Sequence, residues 1–141
     1  MCSSDLPKAY LPDSGLLGHL MGVDEARFER DPVLAGTLLE NFVLGELERQ
    51  RGWNRTAVTT YHFRTTATEV DVVLERPDGK LVGVEVKAAS SVGAGDFKGL
   101  HALETRAKKK FHRGVVLYGG ARTVPFAANL HAMPMSALWR L

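Results

Sequence analysis

The sequence has one cysteine and no long hydrophobic run, and these two absences exclude whole classes of protein. With Cys2 alone, neither an intrachain disulfide nor a cysteine-rich zinc site can form, which is typical of a reducing compartment. No apolar run approaches the roughly 18 to 20 residues that a membrane helix needs. The first six residues also lack the basic and apolar segments of a signal peptide. We therefore predict a cytoplasmic protein that does not act at a membrane.

Net charge and length restrict the interpretation further. The 18 lysines and arginines nearly balance 16 acidic residues, so overall charge does not by itself indicate nucleic-acid binding. A chain of 141 residues is long enough for one well-filled core, and no repeat or linker divides it. We expect an N-terminal extension at 1–30, with a short strand or extended piece and a short helix, packed on a main domain at 31–141.

Hydrophobic spacing predicts the elements of that domain. Apolar residues three and four apart indicate helices at 32–50 and 96–110, the second with Asp96 as its cap. Runs rich in β-branched residues indicate strands at 58–65, 69–75, 80–88 and 114–118. A Pro-Asp-Gly turn joins the second and third strands into a hairpin, and the tail is expected to form a packed turn with a short closing helix or strand. The order helix, three strands, helix, strand predicts an α/β protein with a mixed sheet.

Three charged residues of the hairpin are candidates for chemistry. Strand alternation places Glu85 and Lys87 on one face, and Asp71 can join them across the hairpin without special backbone geometry. Two adjacent carboxylates repel unless a cation or a proton lies between them, and their oxygen atoms suit Mg²⁺ or Mn²⁺. Lys87 would then orient a water that attacks a phosphate. Glu40 or Glu46, on the preceding helix, would complete the set of ligands.

The same alternation is also typical of a solvated strand face with an exposed ion pair. Two features favour a functional interpretation. Glu85 and Lys87 lie within a nearly continuous valine run, and an acid of the preceding helix is turned toward the same core. Charges in such places are candidates for function.

The order of these motifs resembles a known superfamily. Glu-Val-Asp at 69–71 and Gly-Val-Glu-Val-Lys at 83–87 follow a helix that contains Gly-Thr-Leu-Leu-Glu-Asn-Phe-Val at 36–43, and together they resemble the PD-(D/E)XK nucleases. More narrowly, the chain resembles domain of unknown function 4143, which lies at the C-terminus of bacterial and archaeal AAA-type ATPases. This resemblance runs from the segment 8–16 through 61–65 and 115–119 to the closing residues 133–139. Val70 departs from the proline that gives the superfamily its name.

The resemblance implies a restriction-endonuclease-like αβββαβ core with a mixed central sheet flanked by helices. It also implies catalytic roles for Glu40, Asp71, Glu85 and Lys87, with Asp71, Glu85 and Glu40 holding Mg²⁺ or Mn²⁺. The implied activity is hydrolysis of nucleic-acid phosphodiester bonds by a metal-activated water. The sequence has no G-x-x-x-x-G-K-[ST] phosphate loop, so ATP hydrolysis is not expected of this chain.

Basic residues are the candidates for contacts with a nucleic-acid backbone, DNA in the first instance. They are Arg64, Lys98, Arg106 and Lys109. The basic cluster at 106–113 equally suits the negative C-terminal end of a helix dipole.

Two other interpretations remain open at this stage. The chain is alternatively a non-catalytic module that docks an AAA-type ATPase, a nucleic acid or a second copy of itself. It is otherwise a fragment of a larger ATPase, which an exposed apolar patch around residues 11–20 would favour.

Overall fold

A computed structural model describes residues 8–140, and Cys2 lies outside the described residues. The chain forms a six-stranded mixed sheet flanked by helices. The helices are α1 (Ser14–Leu20), α2 (Glu25–Arg30), α3 (Pro32–Arg51) and α4 (Lys98–Ala107). The strands are β1 (Thr59–Arg64), β2 (Glu69–Glu75), β3 (Leu81–Lys87), β4 (Phe111–Tyr118), β5 (Val124–Ala127) and β6 (Leu130–Pro134). None of the described helices combines the length and the apolar character needed to cross a membrane.

Each of the first three helices begins after an aspartate that caps it. The side chains of Asp13, Asp24 and Asp31 accept the backbone N–H three residues later. Such caps satisfy N–H groups that have no partner within the helix. Pro32, at the start of α3, needs no such partner because it has no N–H. The predicted helix at 32–50 is confirmed, and α2 was not predicted.

The order of strands in the sheet is β1-β2-β3-β4-β6-β5. Strands β1, β2 and β3 are antiparallel neighbours, whereas β4 is parallel to β3 because α4 carries the chain back across the sheet. This confirms the predicted order of helix, three strands, helix and strand, and the predicted mixed sheet.

One core lies on each face of the sheet. On one face, α4 buries Leu100 and Leu103 together with Phe97, which precedes it. On the other, α3 buries Val43 against valines of β2 and β3. Helices α1 and α2 contact α3 and add to that side.

The C-terminal region holds two strands and then a short closing 3₁₀ helix, Met135–Trp139, where the sequence predicted a packed turn with one short closing helix or strand. Strand β5 is an exposed edge strand that contains Pro125, and its residues do not alternate between apolar and polar. The periodicity that reveals a strand is therefore missing there. Asp96 also differs from its predicted role. It lies in a short 3₁₀ turn, Ala94–Phe97, where it accepts the N–H of Gly93 rather than capping α4.

Candidate functional site

The predicted acids meet in a pocket at the C-terminal end of β3. It has a volume of about 520 Å³, and we call it the carboxylate pocket. Its charged lining residues are Glu40 of α3, Glu69 and Asp71 of β2, and Glu85 and Lys87 of β3. The structure thus brings together all four residues predicted to be catalytic.

A β-bulge in β2 lies at Asp71. Tyr61 pairs with Val73 and Phe63 with Val70, so one residue of β1 faces two residues of β2, Asp71 and Val72. Val70 and Val73 consequently contribute to the same core, although they are three residues apart. The expectation that Asp71 needs no special backbone geometry is therefore wrong. Bulges of this kind change the direction of a side chain and are frequent beside active sites.

The carboxylate of Asp71 also replaces a backbone acceptor between β2 and β3. The backbone pairing of these strands extends from Glu75 and Leu81 as far as Val72 and Val84. Beyond that point the N–H of Val86 donates to Oδ2 of Asp71 at 2.9 Å. The two strands therefore remain joined through a side chain where the ladder ends, at the bottom of the pocket.

Glu85 is the most unusual ionisable group of the pocket. It is only 7% exposed and hydrogen-bonds to Asp71. Burial, followed by the hydrogen bond and negative charge of Asp71, raises the pKa of Glu85 from 4.5 to about 9, against the smaller opposing effect of Lys87. Burial and the neighbouring carboxylate thus favour the protonated form of Glu85, with a proton shared between the two carboxyl groups.

The start of α4 packs directly against this pair. A Cβ atom on Gly99 would overlap the carbonyl oxygen of Glu69 and would lie 2.8 Å from Oε1 of Glu85. Only a glycine lets the helix approach this closely. Gly99 therefore allows α4 to cover the Glu85 carboxyl and shield it from water.

The positive charge among the acids comes from Lys8. Its Nζ lies 2.8 Å from Oε1 of Glu40, 3.4 Å from Oε1 of Glu69 and 3.6 Å from Oδ1 of Asp71. Burial lowers the pKa of Lys8, but the hydrogen bond to Glu40 and the charges of the three acids outweigh this and leave it raised. Lys8 is therefore a permanent cation in the pocket.

Two further contacts hold the segment that carries Lys8 against α3. The hydroxyl of Tyr10 donates to Glu40, and Leu11 exchanges two hydrogen bonds with the side chain of Asn41, whose residue is only 3% exposed. Burial and then the contact with Glu40 raise the pKa of the Tyr10 hydroxyl, so it remains a donor. Glu40 is thus occupied by two partners from residues 8–11.

Lys87 lies at the mouth of the pocket. Its side chain is 40% exposed, and its Nζ is 3.9 Å from Oδ1 of Asp96. The long distance and the exposure leave this ammonium group room to move toward a bound molecule. Lys87 and Glu85 therefore differ sharply in access to solvent, although they are two residues apart on β3.

Glu46, the substitute for Glu40, does not reach the carboxylate pocket. Its carboxylate accepts hydrogen bonds from Gln50, Arg49 and the indole of Trp139, and these contacts lower its pKa. The surrounding cleft is larger, about 620 Å³, but it lacks the acid pair and is lined largely by aromatic and amide side chains. Glu40 is the acid of α3 that belongs to the site.

The four predicted nucleic-acid contacts lie at two different ends of the sheet. Arg64 is ion-paired at 2.7 Å with Glu69 of the pocket, and Lys98 is the residue before Gly99. Arg106 and Lys109 lie at the opposite end, where Nζ of Lys80 donates to the carbonyl of Lys109. The structure therefore does not bring Arg106 and Lys109 to the pocket.

The sequence did not identify Lys8, Tyr10 or Glu69 as site residues. Their signals are weak, because Lys8 and Tyr10 are simply alternate residues of an extended segment. Glu69 lies two residues before Asp71 in the same motif, and that spacing is the one pattern that could have indicated it.

The oxygen atoms of this pocket have the chemistry that Mg²⁺ and Mn²⁺ prefer. Within residues 8–140, however, no three side chains of His, Cys, Asp or Glu are arranged to hold a metal ion. Asp71 and Glu85 form a pair, whereas Glu40 is separated from it by the ammonium of Lys8. The oxygen atoms are donors of the type that suits a divalent ion, although no three of them are grouped among the described residues, and the charge of such an ion would compete with that of Lys8.

Comparison with known proteins gives a family but no described activity. Over 132 residues the chain is 31% identical to uncharacterized protein Mb2031c of Mycobacterium bovis and, to the same extent, to uncharacterized protein Rv2008c of Mycobacterium tuberculosis. These alignments cover 91% of the chain and 27% of each relative. The chain thus spans about a quarter of the length of those proteins. No solved structure matches it.

A family model matches residues 35–138, which include most of α3, the whole sheet, α4 and most of the carboxylate pocket. The family is described as a domain of unknown function, DUF4143. The chain belongs to the DUF4143 family.

Proposed function

We propose that the carboxylate pocket hydrolyses phosphodiester bonds of a nucleic acid, DNA in the first instance, with the help of Mg²⁺ or Mn²⁺. One observation carries this proposal: the buried carboxyl of Glu85 contacts Asp71 in the pocket that Lys87 also lines. An acid with so strongly raised a pKa, in a pocket beside a second acid, is typical of functional sites.

The arrangement of elements supports the same proposal. The series α3, β1, β2, β3, α4 and β4 has the order of a restriction-endonuclease-like αβββαβ core. The acids and the lysine lie on the second and third strands of that series, as the resemblance to PD-(D/E)XK nucleases implies.

Each residue has a distinct part in the proposed reaction. Asp71 and Glu85 would hold the ion, and Glu85 would give up its proton as it does so. A bound Mg²⁺ or Mn²⁺ supplies stabilisation of the negative charge that builds on the phosphoryl oxygens. Lys87 would orient the water whose oxygen attacks phosphorus as the bond to the leaving oxygen breaks, with the proton of that water passing to solvent and solvent protonating the leaving oxygen. Glu40 would orient a further water or contribute a ligand.

Three single substitutions test the proposal. Asp71→Ala, Glu85→Ala and Lys87→Ala should each abolish Mn²⁺-dependent cleavage of DNA while circular dichroism shows a folded protein. Glu48→Ala is the control, because Glu48 lies on α3 outside the carboxylate pocket and pairs with Arg51. Cleavage that persists in all three variants would refute the assignment.

A second candidate function is a non-catalytic module that docks the remainder of a longer protein, such as an AAA-type ATPase. Three apolar residues on or next to α1 are exposed. They are Leu16 and Leu20, with 49% and 67% of their surface accessible, and Met21, which follows the helix, with 36%. Exposed apolar side chains on this short segment favour the interpretation of the chain as a fragment of a larger protein, and they suit a docking role as well. The 27% coverage of the mycobacterial relatives is compatible with a module of a larger chain.

Binding and cleavage assays distinguish the two candidates. A docking module would associate tightly with an ATPase partner or with DNA, show no Mn²⁺-dependent cleavage and gain no thermal stability from metal. A nuclease would show cleavage that depends on Asp71 and Glu85.

A further inference from the structure

The ammonium of Lys8 occupies a position among the acids where a divalent cation would also be attracted. Its distances to Glu40, Glu69 and Asp71 all lie between 2.8 and 3.6 Å. The side chains of Lys8 and Asp71 are 21% and 10% exposed, so water screens their attraction only in part. Lys8 therefore neutralises charge that would otherwise accumulate in a half-buried pocket.

The position of Lys8 is fixed by its own segment rather than by the acids alone. Two residues later, Tyr10 donates to Glu40, and the next residue, Leu11, forms two hydrogen bonds with the buried amide of Asn41. These contacts hold residues 10 and 11 against consecutive residues of α3. The ammonium is consequently presented to the pocket by a short, anchored stretch of chain.

We propose that Lys8 is the resident counter-cation of the carboxylate pocket, and that a divalent metal ion binds there only as the Lys8 ammonium withdraws. Lys8 thereby sets how tightly the pocket binds the ion and acts as a positioning residue through Glu40 and Asp71. This inference rests on the proposed function for its metal site, and it adds a residue for which neither the motif nor the family gives a role.

The charges in the pocket predict how removal of the Lys8 ammonium changes the affinity for a divalent ion. With Lys8 in place, an arriving ion meets a like charge within a few ångströms of its ligands, and like charges at such distances repel strongly where water is scarce. Removal of the ammonium leaves the acids uncompensated, which favours uptake of a cation. Metal affinity and metal-free stability should therefore change in opposite directions.

The test compares Lys8→Met with the wild type by isothermal titration with Mn²⁺ and by thermal melting. We expect Lys8→Met to melt at a lower temperature without metal and to bind Mn²⁺ at least about tenfold more tightly. Lys8→Arg should retain the affinity of the wild type. Lys110→Met is the control for overall charge, because Lys110 is exposed at the far end of the sheet and its substitution should leave Mn²⁺ affinity unchanged.

If Lys8→Met does not fold without metal, Mn²⁺ should restore the far-ultraviolet circular dichroism of this variant. A second variant then keeps the proposal testable. Lys8→Met/Glu40→Gln, which removes one charge of each sign, should fold in metal-free buffer and bind Mn²⁺ less tightly than Lys8→Met. Equal or weaker Mn²⁺ binding by Lys8→Met than by the wild type, or no binding in either, would overturn the proposal.

These outcomes are separate from those of the cleavage assay. Tighter metal binding by Lys8→Met with no cleavage in any variant would support the role of Lys8 and refute the nuclease. Cleavage by the wild type, with no change of Mn²⁺ affinity in Lys8→Met, would support the nuclease and refute the role of Lys8.

Discussion

The two ends of β3 differ in how their charges are held. At the C-terminal end, the acids of the carboxylate pocket are partly or wholly buried and contact Lys8, Tyr10 or one another. At the N-terminal end, the lysines of the 3₁₀ turn Lys108–Lys110 are exposed, and none of them takes part in an ion pair among the described residues. Seven residues of strand separate the two ends by about 20 Å.

The two ends of β3 are therefore suited to different kinds of interaction with a charged molecule. Charges that are buried and paired have perturbed proton affinities and defined geometry, whereas exposed lysines interact with anions weakly and without fixed geometry. Under the proposed function, the pocket would act on a phosphate, and the basic end would contact a polyanion without positioning it. Arg106 and Lys109 are therefore not expected to guide a phosphate into the pocket by direct contact.

The largest change in the free energy of unfolding is expected with pH, and it comes from the buried acid at the C-terminal end of β3. The raised pKa of Glu85 means that the folded state keeps a proton that the unfolded state loses above pH 4.5. The free energy of unfolding should therefore fall as pH rises from 4.5 toward 9. Glu85→Gln, which retains the hydrogen-bond donor, should remove this contribution. Urea denaturation of both proteins at pH 5, 7 and 8.5 measures the difference, and parallel pH profiles would show that Glu85 is not buried as a neutral acid.

The next largest change in the free energy of unfolding is expected from a substitution at Gly99, where α4 lies close to the pocket. Gly99→Ala places a methyl group against the carbonyl of Glu69, and backbone atoms cannot move aside as a flexible side chain can. We expect a loss of about 1 to 3 kcal/mol in the free energy of unfolding. Gly18→Ala is the matched control, because that glycine is also helical and a Cβ atom there would have no neighbour within 4 Å, so the change should be neutral or stabilising. Equal effects of the two substitutions in thermal melts would refute the close approach.

The smallest effect is expected on DNA binding, when basic residues at the N-terminal end of β3 are replaced. Arg106→Ala/Lys109→Ala should weaken binding of duplex DNA modestly and reduce the salt dependence of log K by about one for each phosphate that the protein no longer neutralises. Mn²⁺ binding should not change, since both residues are remote from the carboxylate pocket. Fluorescence anisotropy at several salt concentrations checks the first expectation. If Arg64→Ala/Lys98→Ala alters the salt dependence and Arg106→Ala/Lys109→Ala does not, DNA binds only at the end that bears the acids.

Much of this contrast could be predicted from the sequence. The hairpin at 69–87 has a strong turn and a clear valine pattern, so its register as far as Val72 and Val84 followed from local rules. Helix α3 was predicted to within one residue of its observed end because its apolar spacing is regular and Pro32 marks its start.

What could not be predicted depends on contacts between distant segments. Lys8 reaches Glu40 across 32 residues, and no pattern within either segment indicates the other. The bulge at Asp71 arises from pairing with β1, which a single strand does not reveal. Whether Arg106 and Lys109 lie near the acids depended on the direction of α4, and a helix that starts at the pocket necessarily ends away from it.

Isothermal titration with Mn²⁺ at pH 7 shows whether Asp71 and Glu85 hold a divalent ion, as proposed. The experiment compares the wild type with Asp71→Asn/Glu85→Gln in two buffers of different ionisation enthalpy, so that proton release can be measured. We expect the wild type to bind Mn²⁺ with release of about one proton from the Asp71 and Glu85 pair, and the double variant not to bind. If the wild type does not bind, or if the double variant binds equally well, these two residues do not hold the ion.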